Sequence, residues 1–447
     1  MIFIVRVSDS ERLSDSHKIF INVKIFDRMK TKSYFPTTDS IVKAANVLYE
    51  ILDPTPFQLN TYLSNRYGAN VYLKREDLQM VRSYKIRGAY NKISSLPEEL
   101  LKNGIVCASA GNHAQGVAFS CNKMKIMGSI YMPTTTPKQK IESVQMFGGD
   151  NIEIVLIGDT FDEANTAAIK YAEESGKTFI PPFDDEKIIE GQGTIGYEIL
   201  NQSRKKLDYV FVPIGGGGLA SGLSAYFKQM SPDTKIIGVE PAGAPCMKEA
   251  IKAGQQVKLE HIDKFVDGAA VQTAGKLTFE ICRETLDDII IVPEGAVCTT
   301  IIEMYNKSAI VVEPAGALSS AALRFYADKI KGKNVACVVS GSNNDLSRME
   351  EIREKSLLYE GLKHYFLINF PQKHGALIEF MRQVIGPTDD LVYIQYIKKI
   401  NKETGPALVG IEIANPEDFE PLVERLKATN MTFEYINENN KLFEILI

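Results

Sequence analysis

Paired cysteines are missing from this sequence. Its six cysteines stand apart at Cys107, Cys121, Cys246, Cys282, Cys298 and Cys337, none in a Cys-x-x-Cys pair, and its histidines form no cluster. That spacing argues against a zinc site and suits buried, reduced thiols of a cytoplasmic protein. An excess of positive charge is also missing. The net charge is −5, which argues against broad binding to nucleic acid or to an anionic membrane, so a small anion would have to be held by local groups. No uninterrupted apolar run approaches the ~20 residues a membrane helix needs. The opening MIFIV is too short for a signal core, and charges come at once after it. There is no short-period repeat of the solenoid kind. What is present, 45% hydrophobic and 24% charged residues, is ordinary for a globular chain. A length of 447 residues allows roughly three domain-sized units.

Residues 1–28 do not fit the pattern of the chain beyond them, and Met29 reads as a natural start. The expectation is an extension over 1–28, disordered, loosely docked or foreign to the native protein. From about residue 70 short β-rich runs alternate with helical stretches. VYLKR, GIVCAS, GSIYMP, IEIVLIG, YVFVPIG, KIIGVE, IIIV and NVACVVS read as strands, with segments such as NHAQGVAFSCNK, TPKQKIESVQMF and FDEANTAAIKYAEES between them. Such alternation predicts βαβ units and a mainly parallel sheet covered on both faces. So long a stretch predicts two α/β subdomains with a cleft between them, within 29–350. A charged helical connector is expected over 351–363. Residues 364–447 then read as βαββαβ, a ferredoxin-like module with a possible extra strand in the closing LFEILI.

Four segments carry candidate chemistry. The first is SYKIRGAY, with Lys85 at its centre. A lone lysine is a surface charge; a desolvated one can lose its proton and condense with a carbonyl. The second is Ser109-Ala110-Gly111-Asn112-His113, directly after GIVCAS. Such a turn opening a helix is either a capping turn or a cradle for a carboxylate or phosphate. The third is Gly215-Gly216-Gly217-Gly218-Leu219. Each glycine costs roughly 0.5–1 kcal/mol of backbone freedom relative to alanine, which a plain connector has no need to spend. A loop whose N–H groups wrap a phosphate does need it. It matches neither GxxxxGK[ST] nor GxGxxG. The fourth, Ser340 to Asp345, is by itself a capping turn.

In this order and spacing SYKIRGAY, SAGNHAQG, IGGGGLASG, VEPAGA (312–317) and VSGSNND (339–345) resemble the threonine dehydratases (threonine ammonia-lyases) of the fold-type-II pyridoxal-phosphate enzymes. The resemblance covers roughly residues 40–447 and includes a tail similar to the single ACT-like regulatory domain of short bacterial biosynthetic forms. It implies a tryptophan synthase β-like catalytic fold over 29–350 and pyridoxal 5'-phosphate as cofactor. Lys85 would hold that cofactor covalently and then act as base at Cα, and Asn112 would bond its ring hydroxyl. The N–H groups of Gly215, Gly216, Gly217, Gly218 and Leu219 would hold its phosphate, and Ser340 would face the ring nitrogen. A neutral hydroxyl there leaves the ring a weaker electron sink than a carboxylate would, which suits β-elimination over transamination. Ser109, Ala110, Gly111, Asn112 and His113 would bind the substrate carboxylate. The implied reaction converts L-threonine to 2-oxobutanoate and ammonia, and L-serine to pyruvate, as the first step of isoleucine biosynthesis. Isoleucine and valine are the implied effectors, and a homodimer or homotetramer the implied assembly.

Three rival readings share some of these features. Serine racemase needs a second acid/base on the opposite cofactor face, where eukaryotic racemases carry a serine matching Ala110; alanine cannot shuttle a proton. β-Replacement relatives do not usually carry this tail. A silent amino-acid sensor would not need Lys85 and the glycine loop intact. In the tail, a turn that commonly reads Pro-Gly here reads His374-Gly375, which puts effector binding at that turn in doubt. Glu240 is a conceivable cation ligand, but a structural hydrogen-bond role is expected, and no metal site is assigned.

Overall fold

The computed structural model describes residues 34–396, 403–439, 442, 443 and 446. The extension over 1–28 and the start at Met29 lie outside the described residues. Residues 35–447 form one unit.

Two parallel sheets make up its first part. The larger runs in the order Phe57–Leu59, Asn70–Arg75, Asn334–Val339, Tyr209–Pro213, Lys235–Pro241, Asp288–Val292. All its pairs are parallel except the first, an antiparallel edge. The smaller sheet, Ile152–Leu156, Gly128–Met132, Ile105–Ala108, Thr178–Phe179, is parallel throughout. It is formed by chain that leaves the larger sheet after Asn70–Arg75 and returns to it at Tyr209–Pro213. The central strands of both sheets are apolar because helices cover both faces: Ile105–Ala108 and Gly128–Met132 are buried at every position. Each large side chain so enclosed, such as Phe211 or Ile130, contributes about 1.5–3 kcal/mol. The two α/β subdomains expected from sequence are these two sheets. The strands Phe57–Leu59 and Thr178–Phe179 escaped that reading, since three and two residues carry no measurable periodicity.

The connector is the helix Met349–Tyr359. Its Arg353 makes two bonds to Glu412, at 3.1 and 2.6 Å, and its Glu354 accepts from Tyr365 Oη at 2.6 Å. On its other side Ser356 meets Thr299, Oγ to Oγ1, at 3.0 Å. The tail is an antiparallel sheet in the order Asp390–Tyr396, Thr404–Glu412, Lys363–Pro371, Phe433–Tyr435. Phe366, Ile368, Phe370, Val409 and Ile411 pack there with Phe380, Leu422 and Leu426 of the helices Ala376–Gln383 and Phe419–Lys427. That is the ferredoxin-like order read from sequence. The end of the expected strand after Tyr396 lies outside the described residues. In the closing segment the described Leu442, Phe443 and Leu446 are helical and pack by Tyr365 and Leu408. These described residues therefore do not form the possible extra strand, and they cover apolar side chains on the sheet. His374 is exposed. Gly375 has φ +78, so glycine is required there whatever precedes it.

Candidate active site

Lys85 opens the helix Lys85–Ser94. Just before it, Arg82 holds φ +58, a strained conformation for a residue with a side chain. The Arg82 carbonyl accepts the N–H of Ser342 at 2.9 Å, and the N–H of Tyr84 donates to the Ser340 carbonyl at 3.2 Å. These bonds join the lysine's turn to the 340–345 turn. Lys85 Nζ donates to the Pro182 carbonyl at 2.9 Å. Burial pushes its pKa down to about 8, against the opposing charge of Glu313. A partly neutral amine near neutral pH is what nucleophilic attack on a carbonyl requires.

The 109–113 turn starts the 13-residue helix Asn112–Met124. Ser109 Oγ accepts the N–H of Gly111 at 3.2 Å, as a capping turn does. The N–H groups of Asn112 and His113 find no acceptor among the described residues, so the turn also presents donors at a positive helix end. A Cβ on Gly111 would meet open space. Ala110 is half-buried and packs on the core of the smaller sheet. His113 turns its ring inward: it is buried, with Nε2 2.9 Å from the Ile180 carbonyl. Burial and the charge of Lys85 push its pKa down to about 3. Only its main chain can therefore serve a ligand at this turn. The ring should stay neutral, and its NMR shifts should be flat from about pH 8 to about pH 5. A titration step in that window would show that the ring is not enclosed.

The glycine loop joins Tyr209–Pro213 to the helix Gly218–Met230. Gly217 holds φ +94, and a Cβ on Gly216 would collide with the Phe183 ring. The loop's glycines thus answer to Phe183 as well as to any ligand. Thr278 Oγ1 and the N–H of Gly275 donate to the Gly216 carbonyl at 2.6 and 3.3 Å. No N–H of residues 215–219 has an acceptor among the described residues.

Asn112, Ser340 and the 340–345 turn meet around a residue the sequence reading gave no role. Asn112 Nδ2 donates to Glu313 Oε1 at 2.7 Å, and Asn343 Nδ2 donates to Asn112 Oδ1 at 2.7 Å. The N–H of Asn343 donates to Glu313 Oε2 at 3.2 Å. Burial, then the charge of Asp267, pushes the Glu313 pKa up to about 7, opposed by its hydrogen bonds to Asn112 and Asn343 and by the charge of Lys140. Ser340 is buried, and its hydroxyl donates to the Ala315 carbonyl at 3.1 Å. Ser83, two residues before Lys85, keeps a buried hydroxyl without a partner among the described residues. Ile180, Pro182 and Phe183, to which no motif assigns a role, touch His113, Lys85 and the glycine loop respectively. Glu313 and Asn343 stood inside the VEPAGA and VSGSNND motifs; Pro181-Pro182-Phe183 was a visible but unused signal. Glu240 accepts the N–H groups of Met247 and Lys248 at 2.7 and 2.9 Å, the structural role expected of it.

Known proteins resemble this chain over most of its length. The profile of the pyridoxal-phosphate dependent enzymes matches residues 49–341, and that of the C-terminal regulatory domain of threonine dehydratase matches 354–446. The biosynthetic L-threonine dehydratase IlvA of Halalkalibacterium halodurans is 56% identical over 92% of this chain and 99% of its own length. The chain belongs to the threonine dehydratase family of pyridoxal-phosphate-dependent enzymes. A second family member, IlvA of Bacillus subtilis, is 54% identical over 91% of this chain and 96% of its own length. The solved structure of processed threonine deaminase isoform 2 from Solanum lycopersicum is 42% identical, with a TM-score of 0.68, over 73% of this chain and 96% of that one. Maize serine racemase is 31% identical, with a TM-score of 0.67, over 73% and 99%. The catalytic fold is therefore shared with a serine racemase as well. Among the described residues no helix is long and apolar enough to cross a membrane.

Proposed function

We propose that this protein is the biosynthetic L-threonine dehydratase of its cell, converting L-threonine to 2-oxobutanoate and ammonia and L-serine to pyruvate, with feedback inhibition by isoleucine. The observation that carries the reading is the match along 99% of a biosynthetic dehydratase, tail included. The residues present fit the cofactor. Free N–H groups at 215–219 suit a phosphate, a desolvated amine stands at Lys85, and buried hydroxyls stand at Ser83 and Ser340. When bound, pyridoxal phosphate supplies a carbonyl that condenses with amines and a ring that takes up the electron pair from Cα.

The chain's own residues do the rest. Gly215, Gly216, Gly217, Gly218 and Leu219 would hold the phosphate, Ser340 would face the ring nitrogen, and Asn112 would face the ring oxygen. Ser109, Ala110, Gly111, Asn112 and His113 place the substrate carboxylate through main-chain N–H groups. Lys85 Nζ would remove the Cα proton, the β-hydroxyl would take up a proton and leave as water, and uptake of one water by the released enamine would give the 2-oxo acid and ammonia. Ala110 offers no second proton carrier, which separates this reading from serine racemisation. The catalytic domain spans 29–350, the connector 351–363 and the regulatory domain 364–447. The buried free thiols suit a cytoplasmic location, and a homodimer or homotetramer is the proposed assembly. Isoleucine is the proposed inhibitor, with isoleucine or valine as the proposed effectors of the tail.

A steady-state assay of 2-oxobutanoate formation tests the whole. Threonine should be turned over, and saturating isoleucine should lower the rate at sub-saturating threonine by about 5–150-fold, the usual range of allosteric coupling. Unchanged kinetics with isoleucine would remove the feedback role. Ready formation of D-serine from L-serine would favour the racemase reading.

A further inference from the structure

An amide side chain can sit either way round unless its neighbours decide. Around Asn112 they do. Glu313 offers Oε1, an acceptor when ionised, so the –NH₂ end of Asn112 faces it at 2.7 Å. Asn343 offers an –NH₂ donor, so the Asn112 oxygen faces that, also at 2.7 Å. Asn343 is itself pinned, by a bond from Nδ2 to the Val81 carbonyl at 3.0 Å and from its N–H to Glu313 Oε2 at 3.2 Å. Glu313 is the N-cap residue of the helix Pro314–Ala321, yet its side chain makes no capping bond there. It is 4% exposed, and a Cβ on Gly341 would lie 2.6 Å from its Oε1. No bulkier residue could occupy position 341 without displacing the carboxylate. The oxygen of Asn112 is engaged by Asn343, while one N–H of its –NH₂ group is left for another acceptor.

We propose that Glu313 is a positioning residue for the cofactor: by fixing the Asn112 amide, it presents a hydrogen-bond donor to the cofactor's ring oxygen and so favours the ionised form of that oxygen. The inference rests on the reading that Asn112 faces that oxygen. Both Glu313 oxygens receive N–H donors, which favours the carboxylate form against the cost of its burial. The charged or titratable groups acting with it are Lys85, Tyr84, Asp267 and Lys140. Glutamine in its place could meet Asn112 with either end of its own amide, and the orientation would no longer be dictated.

The test uses the full-length protein at one fixed pH. Wild type, Glu313→Gln and Asn343→Ala are stripped of cofactor and titrated with pyridoxal phosphate, following the dissociation constant and the ratio of the two visible absorption bands of the bound cofactor. Both variants should bind the cofactor about tenfold more weakly, the loss expected for one hydrogen bond to a charged group. In both, the band of the neutral ring oxygen should gain at the expense of the ionised one. Should Glu313→Gln fail to fold, Asn343→Ala decides. Weaker binding with an unchanged band ratio would reduce Glu313 to a structural role and overturn the proposal, as would no change at all. A wild-type protein that develops no visible band would instead overturn the cofactor-site reading on which the proposal rests.

Discussion

Replacement of Lys85 by alanine is expected to lower 2-oxobutanoate formation by at least about a thousandfold, since it removes both the covalent anchor and the base. The visible band of the bound cofactor should vanish with it, although the N–H groups of 215–219 should still hold pyridoxal phosphate reversibly. Lys85→Arg should be as inactive, because a guanidinium keeps its proton and cannot attack a carbonyl. The wild-type amine has its own pH signature. Only the neutral form attacks, and burial has pushed its pKa down to about 8. Reconstitution of stripped protein should therefore accelerate about tenfold per pH unit below that point and level off above it. Retention of the band together with more than a tenth of the activity in Lys85→Ala would sink the assignment.

Glu198→Ala is expected to be the most destabilising single change in the chain's polar interior. Arg87, two residues beyond Lys85 on the same helix, is 1% exposed. Its N–H groups all find acceptors: Glu76 at 2.8 and 2.8 Å, Glu198 at 2.6 and 2.9 Å, and Thr194 at 3.1 Å. Lys74 donates to the same Glu198 at 2.5 Å and to the Thr55 carbonyl at 2.7 Å. Two cations and two carboxylates thus balance in a fully buried cluster that ties the lysine helix to the helix Glu186–Gln202. With Glu198 gone, Arg87 and Lys74 share one carboxylate, and breaking such a group costs about 3–5 kcal/mol. The thermal midpoint should fall by roughly 10 °C. Burial alone would raise the Glu198 pKa, but Arg87 and Lys74 outweigh it and hold it below the ordinary carboxylate range. A depressed acid stabilises above its unfolded pKa and loses that contribution as pH falls through the folded one. Wild type should therefore lose stability relative to Glu198→Ala below about pH 4.5. A midpoint within about 2 °C of wild type at neutral pH would show that the cluster relaxes without cost.

Much of the fold was legible because parallel strands buried on both faces must be apolar along their whole length. NVACVV and YVFVP announce themselves, and the helices between them imply the crossovers. The short strands at 57–59 and 178–179 were not legible, since pairing partners far along the chain created them. The closing LFEILI reads as a possible extra strand, yet its described residues took helical form where they cover Tyr365 and Leu408.

The sequence by itself determined where chemistry could sit. The turns at 109–113, 215–219 and 340–345 each come directly after a strand, and two of them lead straight into helices with free N–H groups. It also supplied a glycine at 217, where the folded loop takes φ +94. Only the tertiary structure decided the state of the groups placed there. Lys85 is poised near pH 8 because the fold buries it, which outweighs the opposing charge of Glu313. His113 is neutral because its ring is turned onto Ile180. Asn112 faces one way because Glu313 and Asn343 hold it. Desolvation and hydrogen bonding depend on neighbours far away in sequence, and no local pattern around Lys85 contains them.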